Sequence, residues 1–282
     1  MKISENLIQK YNIPVPRYTS YPPANFFHEE FGEKDYIKAV ENSNTGWPQN
    51  ISIYIHIPFC PKMCHFCGCN TQFNRDKDKM RAYIEAVKKE ILMVKRLLDP
   101  RRRVSQVHWG GGTPNSLPIK MVREVMDVIH RNFRFIKNPE IAIECHPALL
   151  SEEYTRQLVQ AGFNRFSLGI QDFRQDVLDN VNRDAPSVPV KEIVNWIRSH
   201  NNTAINLDFI YGLPFQDVKT FSETIEKAIK KAQSKGAFLM HTFRGLKRPR
   251  NYLKNADCLK QMKNLPCLKV VFKFSLKMDT LQ

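Results

Sequence analysis

The chain has 282 residues, 42% of them apolar, and a net charge of +15, so it holds enough apolar sequence for one large domain or two small ones. No apolar run approaches the roughly 18 uncharged residues that a membrane helix needs, and MKISENLIQKYNIP lacks the apolar stretch of a signal peptide. The charge is concentrated, with +9 of the +15 in residues 235–282 and no arginine–aromatic pattern beside it, which leaves no nucleic-acid partner to expect from the body of the protein.

Taken in chain order, the first 50 residues, with YNIPVPRYTSYPPANFF (11–27), are rich in Pro and aromatics and read as an irregular arm rather than a strand or helix. From residue 51 short apolar runs alternate with segments of helical period, the pattern of repeated βα units. The expected strands are 52–58, 104–110, 140–146, 165–171 and 204–212, and the expected helices lie near 77–98, 118–133, 151–161, 188–200 and 217–232. Ser151 followed by Glu152 and Glu153 suits a helix start, since acids favour the positive end of the helix dipole. Parallel strands with crossover helices build an open sheet or a barrel, and both gather ligands at the carboxyl ends of their strands. The cysteine cluster, GGGTP (110–114), Glu144, Gln171 and Asp208 all fall at or near such ends, which predicts one site drawing on all five strands.

Four of the seven cysteines stand within CPKMCHFCGCN (60–70). The expected compartment is the cytoplasm, where clustered thiols are metal ligands or catalytic groups before they are disulfides. Cys60, Cys64 and Cys67 have the spacing C-x3-C-x2-C, with Cys69 two positions on. A zinc site normally brings a second pair of cysteines or histidines, which is not visible here, whereas a short loop of thiolates suits an iron–sulfur cluster. Three ligands on four irons would leave one iron open.

At these residues the chain resembles the radical S-adenosylmethionine (SAM) enzymes, and within them the family of oxygen-independent coproporphyrinogen III oxidases. The resemblance is carried by YTSYPPA, YIHIPFCPKMCHFCGCN, HWGGGTP, FSLGIQDF, VNR and NLDFIYGLP, and runs from about residue 10 to about residue 230. A haem-chaperone group shares the barrel motifs but usually lacks GCN after the third cysteine and the YTSYP arm; it leaves the alternative of a haem- or SAM-binding protein without oxidase activity, or an inactive remnant.

The resemblance implies a partial (β/α)6 barrel of parallel strands (51–232) with an N-terminal arm (1–50). It implies a [4Fe-4S] cluster on Cys60, Cys64 and Cys67, with SAM chelating the fourth iron. Reductive cleavage of SAM would give a 5'-deoxyadenosyl radical that takes hydrogen from propionates of coproporphyrinogen III, and loss of carbon dioxide would leave the vinyl groups of protoporphyrinogen IX. Tyr54, Phe66, Gly111, Gly112, Thr113, Glu144, Gln171, Arg183 and Asp208 are implied cofactor contacts, with Cys69 and Tyr54 in the chemistry. Arg17, Tyr18, Thr19, Ser20 and Tyr21 match a segment placed over the site. A reduced electron donor and a monomer are also implied.

Two departures stand out. The family's E-x-D-P after the third strand reads Glu144-Cys145-His146-Pro147 here, which removes an anionic acceptor. From about residue 233 the resemblance stops and the text turns basic. Back-translating QSKGAFLMHTFRG (233–245) with a two-base shift can give strand-like text, so a frameshift or indels after residue 232 are expected, with the sixth strand and C-terminal domain damaged or absent and 233–282 an aberrant tail.

Overall fold

The computed structural model describes residues 6, 10, 26–232 and 236–242, with side chains described as far as residue 228. Six parallel strands form one sheet: β1 (Ile51–Ile57), β4 (Arg103–Gly111), β5 (Arg134–Cys145), β6 (Arg165–Gln171), β7 (Ala204–Tyr211) and β8 (Gly236–Thr242), hydrogen-bonded in that order. Each strand pairs with the next in sequence, as successive βα units dictate, and β1 and β8 are not paired to each other. The result is the partial barrel of parallel strands expected from the sequence. Two short strands, β2 (Phe59–Cys60) and β3 (Gln72–Phe73), bracket the cysteine loop and pair in parallel with Cys60 opposite Phe73.

Helices α2 (Lys77–Leu97), α3 (Ile119–Asn132), α4 (Glu152–Gln160), α6 (Val190–Arg198) and α7 (Val218–Ala232) lie where the periodicity placed them. In α2 the buried side chains are Met80, Ile84, Val87 and Ile91, three to four residues apart on one stripe. The Asp76 carboxylate starts that helix by accepting from the amides of Asp78 and Lys79, and Lys95 and Arg96 sit at its negative end. Ser151 caps α4 as expected, its hydroxyl accepting from the Tyr154 amide at 3.1 Å. The short helix α5 (Gln175–Asn180) had no clear sequence signal.

Parallel strands usually read as apolar on both faces because both are covered. Among the described residues only one face is. Ile55, Ile57, Val107, Trp109, Ile141, Ile143, Phe166, Leu168, Ile205, Leu207 and Phe209 are buried and join the main core with the helix stripes. The other face carries Tyr54, His56, His108, Gly110, Glu144, Ser167, Gly169, Asn206 and Asp208. Register aligns Tyr54 with His108, Glu144 with Ser167, Ser167 with Asn206, and Gly169 with Asp208. The alternation sorts the apolar residues into the core and leaves a polar inner face for a ligand.

Two sequence expectations are corrected. The first 50 residues are not wholly irregular, because α1 (Glu33–Asn42) forms between them. Asp35 accepts from the Gly32 amide at 3.0 Å and, with Glu33, places acids in the first turn, a start signal masked by the Pro-rich text before it. The sixth strand is not absent, since β8 pairs with β7 from Ile205–Gly236 to Tyr211–Thr242. Backbone pairing does not need the family's motif, only a run that extends, and the AFLM of 237–240 supplies one. The arm residues Arg17, Tyr18, Thr19, Ser20 and Tyr21 and the tail beyond 242 lie outside the described residues.

Candidate functional site

The cysteine loop leaves β1 and is stitched down on three sides. Towards β4, the Gly112 amide donates to the Ile57 carbonyl (2.7 Å) and the Thr113 amide to the Phe59 carbonyl (3.0 Å). The Cys60 thiol lies 3.3 Å from the Thr113 hydroxyl and is buried; loss of hydration pushes its pKa up. Towards the segment after α5, the His65 amide donates to the Val181 carbonyl (3.0 Å), the Asn182 amide group donates to the Met63 carbonyl (2.7 Å), and Lys62 pairs with Asp184 at 2.6 Å. Below the loop, Phe66 packs against a small cluster of Val177, Val181, Ile210 and Leu213. Phe66 is therefore the loop's apolar anchor.

The three glycines after β4 are each explained by a protein neighbour. A Cβ on Gly110 would come within 3.0 Å of both Glu144 Oε1 and the Tyr54 hydroxyl; on Gly111, at φ +113°, it would strike the His56 ring at 2.7 Å; on Gly112 it would meet the Phe59 carbonyl at 2.9 Å and Cys60 Sγ at 3.0 Å. The Gly112 and Thr113 amides are spent within the protein.

On the polar face two hydrogen-bonded chains meet at Tyr54. His56 Nε2 lies 2.8 Å from the Asn70 carbonyl, which can only accept, so Nε2 carries a proton, and Nδ1 lies 3.1 Å from the Tyr54 hydroxyl. The Tyr54 ring stacks on His108 at 5.8 Å, and His108 Nε2 donates to Glu144 Oε1 at 3.0 Å. Burial, then the charges of Glu144 and Cys69, raise the Tyr54 pKa, which keeps the phenol protonated. The Cys69 thiol is pushed up mainly by its hydrogen bond to Cys67.

At the far side, Arg183 is 8% exposed, donates to the Gly169 carbonyl and reaches Cys64 Sγ at 3.5 Å. Gly169 makes that possible, because a Cβ there would meet Arg183 at 2.8 Å and Gln171 at 2.9 Å. Gln171 closes β6 at φ 68°, and its Oε1 is buried with no hydrogen-bond partner among the described residues. Burial raises the Asp208 pKa to about 6. The His146 substitution is accommodated without a charge: its Nδ1 accepts from the Ala148 amide at 3.2 Å and burial lowers its pKa to about 3, so a neutral imidazole fills the capping position.

The cysteine loop, Thr113, Glu144, Gln171 and Asp208 thus fall at or near the carboxyl ends of their strands, as the sequence placed them, and Tyr54 and Arg183 join them through Glu144, Cys64 and Gly169. His56, His108, Asn70, Ser167 and Asn206 were not singled out. For the four in strands the signal was the period-two placement of polar residues, as in Tyr54-x-His56 and Asn206-x-Asp208, whereas Asn70 lies in the cysteine loop and contributes only its backbone carbonyl.

Among the described residues no three His, Cys, Asp or Glu side chains converge on one metal ion. A multi-iron cluster asks for something else, a separate iron for each thiolate. Three thiols on one pinned loop and a buried Gln171 oxygen with no donor among the described residues fit such a cluster with a polar ligand beside it.

The family model described as "Radical SAM superfamily" matches residues 54–228. The chain is 43% identical over 227 residues to the oxygen-independent coproporphyrinogen III oxidase of Synechocystis, covering 80% of this chain and 48% of that protein. It is 41% identical over 222 residues to the enzyme of the same name from Escherichia coli, covering 78% and 48%. The solved coproporphyrinogen III oxidase of Escherichia coli, described as a radical SAM enzyme, superposes with a TM-score of 0.83 at 33% identity, over 97% of this chain and 61% of that one. The chain spans about half the length of the curated relatives it matches.

Proposed function

Because the chain belongs to the radical SAM superfamily, we propose that it binds a [4Fe-4S] cluster on Cys60, Cys64 and Cys67, with SAM against the polar face of the sheet, and that it acts as an oxygen-independent coproporphyrinogen III oxidase. The observation that carries this reading is the pinned cysteine loop directly over the Gly110–Thr113 turn, with Arg183 reaching both Cys64 and the end of β6. When bound, the pair supplies one-electron cleavage of the SAM sulfonium and hydrogen-atom abstraction from a substrate propionate. The chain's own residues hold and orient. Glu144, with one oxygen engaged by His108, keeps the other for ribose hydroxyls. The unpartnered Gln171 oxygen awaits a ligand N–H or O–H, Arg183 offers its guanidinium to a carboxylate, and Tyr54 offers a hydroxyl whose direction His56 fixes. Cys69 stands as a protonated thiol beside Tyr54. The products would be protoporphyrinogen IX and carbon dioxide, with electrons from a reduced donor, in a cytoplasmic monomer whose 51–232 unit carries the cofactor chemistry. No helix among the described residues is long and apolar enough to cross a membrane.

The test is anaerobic reconstitution with iron and sulfide, dithionite reduction, and EPR with and without SAM. The expected outcome is a reduced [4Fe-4S] signal that changes when SAM is added, followed by vinyl formation from coproporphyrinogen III. A protein that assembles no cluster, or whose signal ignores SAM, refutes the cofactor reading. One that responds to SAM but forms no vinyl groups refutes the oxidase reading alone.

A further inference from the structure

Ser167, Asn206 and Asp208 form a closed hydrogen-bonded triangle on the inner face of β6 and β7. The Ser167 hydroxyl donates to Asp208 Oδ2 at 2.9 Å, and Asn206 Nδ2 donates to Asp208 Oδ1 at 2.6 Å and to Ser167 Oγ at 3.0 Å. The Asn206 N–H occupies the acceptor side of the serine oxygen, which leaves the serine proton for the carboxylate. Strand register enforces the arrangement, because Ser167 stands opposite Asn206 and Gly169 opposite Asp208. Asn206 is itself buried, at 8% exposure, so its polar atoms need these partners. Each Asp208 oxygen holds one protein donor and keeps acceptor capacity for a second.

We propose that Ser167 and Asn206 are positioning residues that hold Asp208 as an oriented, ionised acceptor for the donor groups of bound SAM. The proposal rests on the reading that Asp208 contacts SAM. Among the described residues four groups face Asp208: Ser167 from β6, Asn206 from its own strand β7, Glu144 from β5 and Arg183 from the segment after α5. Burial is the largest influence and favours the neutral acid. Glu144 acts in the same direction, whereas Ser167, Arg183 and Asn206 favour the carboxylate. Without these donors the acid would hold its proton to higher pH, and a protonated carboxyl cannot accept from SAM with both oxygens. The two donors keep the anion available.

The experiment measures SAM affinity of the anaerobically reconstituted protein from about pH 5 to about pH 8 for the native chain and the Ser167→Ala, Ser167→Thr and Asp208→Asn variants. In parallel, the carboxyl titration of Asp208 is followed by infrared difference spectroscopy with ¹³C-aspartate, with Asp208→Asn as the blank. Native affinity is expected to hold above a midpoint near about 6 and to fall below it. Ser167→Ala loses a donor that stabilises the anion, so its midpoint rises by about one unit; it binds several-fold more weakly near pH 6.5 and equally well at high pH. Ser167→Thr keeps the hydroxyl and restores the native profile, and Asp208→Asn binds weakly with no midpoint. A loss in Ser167→Ala that is the same at every pH overturns the proposal, because a merely structural serine would act that way. An Asp208 infrared titration that does not move in Ser167→Ala overturns it whether or not SAM binds. A native protein that fails to bind SAM while the infrared midpoint shifts as expected overturns the SAM role of the triangle and leaves the cofactor reading itself at fault.

Discussion

Gly111 shows how a single position couples backbone and side chain. Its φ of +113° already disfavours any L side chain, and the His56 ring occupies the place of its Cβ. Gly111→Ala is expected to lose about 1–3 kcal/mol from backbone strain, with a steric loss added, read as a lower urea midpoint. Gly111→Ala combined with His56→Ala should recover the steric part and keep the strain, giving a coupling of about 1 kcal/mol or more in a double-mutant cycle. His146 makes a second, pH-dependent prediction. Its folded-state pKa of about 3 lies below the ordinary histidine value, so the unfolded chain binds the extra proton first as pH falls. The stability from keeping this ring neutral is present above about pH 6.5 and is lost progressively towards about pH 3. His146→Asn, which replaces the capping nitrogen Nδ1 by an accepting oxygen and cannot titrate, should unfold with a shallower pH dependence over that window. Cys60, Cys64 and Cys67 were legible in the sequence because their spacing is itself a signal. His56, His108, Ser167 and Asn206 were not, because one polar residue in a strand has no motif until register brings its partner alongside.

The elements that build the site depend on a small number of side-chain clamps between loops. Asn115, at 3% exposure, accepts from the His146 amide at 2.8 Å and donates to the His146 carbonyl at 3.0 Å, tying the turn after β4 to the end of β5 that bears Glu144. Asn115→Ala would leave the His146 amide without its partner, while the His146 carbonyl keeps its bond from the Leu149 amide, at a cost of about 1–3 kcal/mol. Its expected signature is a Glu144 site that loosens while the cysteine loop stays pinned, read as weakened SAM affinity with a normal [4Fe-4S] spectrum. Element identity was largely legible, since β1, β4, β5, β6 and β7 and the helices between them follow hydrophobic period alone. The exceptions have physical causes. Helix α1 is signalled by one short acidic turn beside Pro-rich text, and α5 is six residues long, too short for a period to show. Strand β8 was discounted because its text departs from the family, although pairing with β7 asks only for an extended backbone.

For the whole molecule, the cysteine loop is the node that joins distant parts of the chain: the turn after β4 through Gly112 and Thr113, the segment 180–184 through His65, Asn182 and Lys62, and the end of β7 through Phe66. The parallel order of the sheet was readable from alternation, whereas this stitching was not, because part of it runs through backbone amides and carbonyls that carry no sequence identity, and the side chains of Lys62, Phe66 and Asn182 meet partners more than 100 residues away that only the fold brings near. Its consequence is thermodynamic. A group that binds only the assembled loop stabilises every contact that the loop requires, so cluster and SAM occupancy should appear in global unfolding rather than as a local change. At a SAM concentration about 100 times its Kd, linkage adds about 2.7 kcal/mol, which for a unit of this size raises Tm by about 5–10 °C. Anaerobic thermal unfolding of the reconstituted protein, with and without SAM, checks this. Cys64→Ser should abolish the SAM-dependent rise while leaving the Tm of the cluster-free protein almost unchanged, because Cys64 is only partly buried, its thiol is approached by Arg183 at 3.5 Å, and its carbonyl bond from the Cys67 amide does not depend on the side chain. A rise that survives Cys64→Ser would place the stabilising ligand away from the cysteine loop, and the convergence of strand ends on that loop would then have no thermodynamic role.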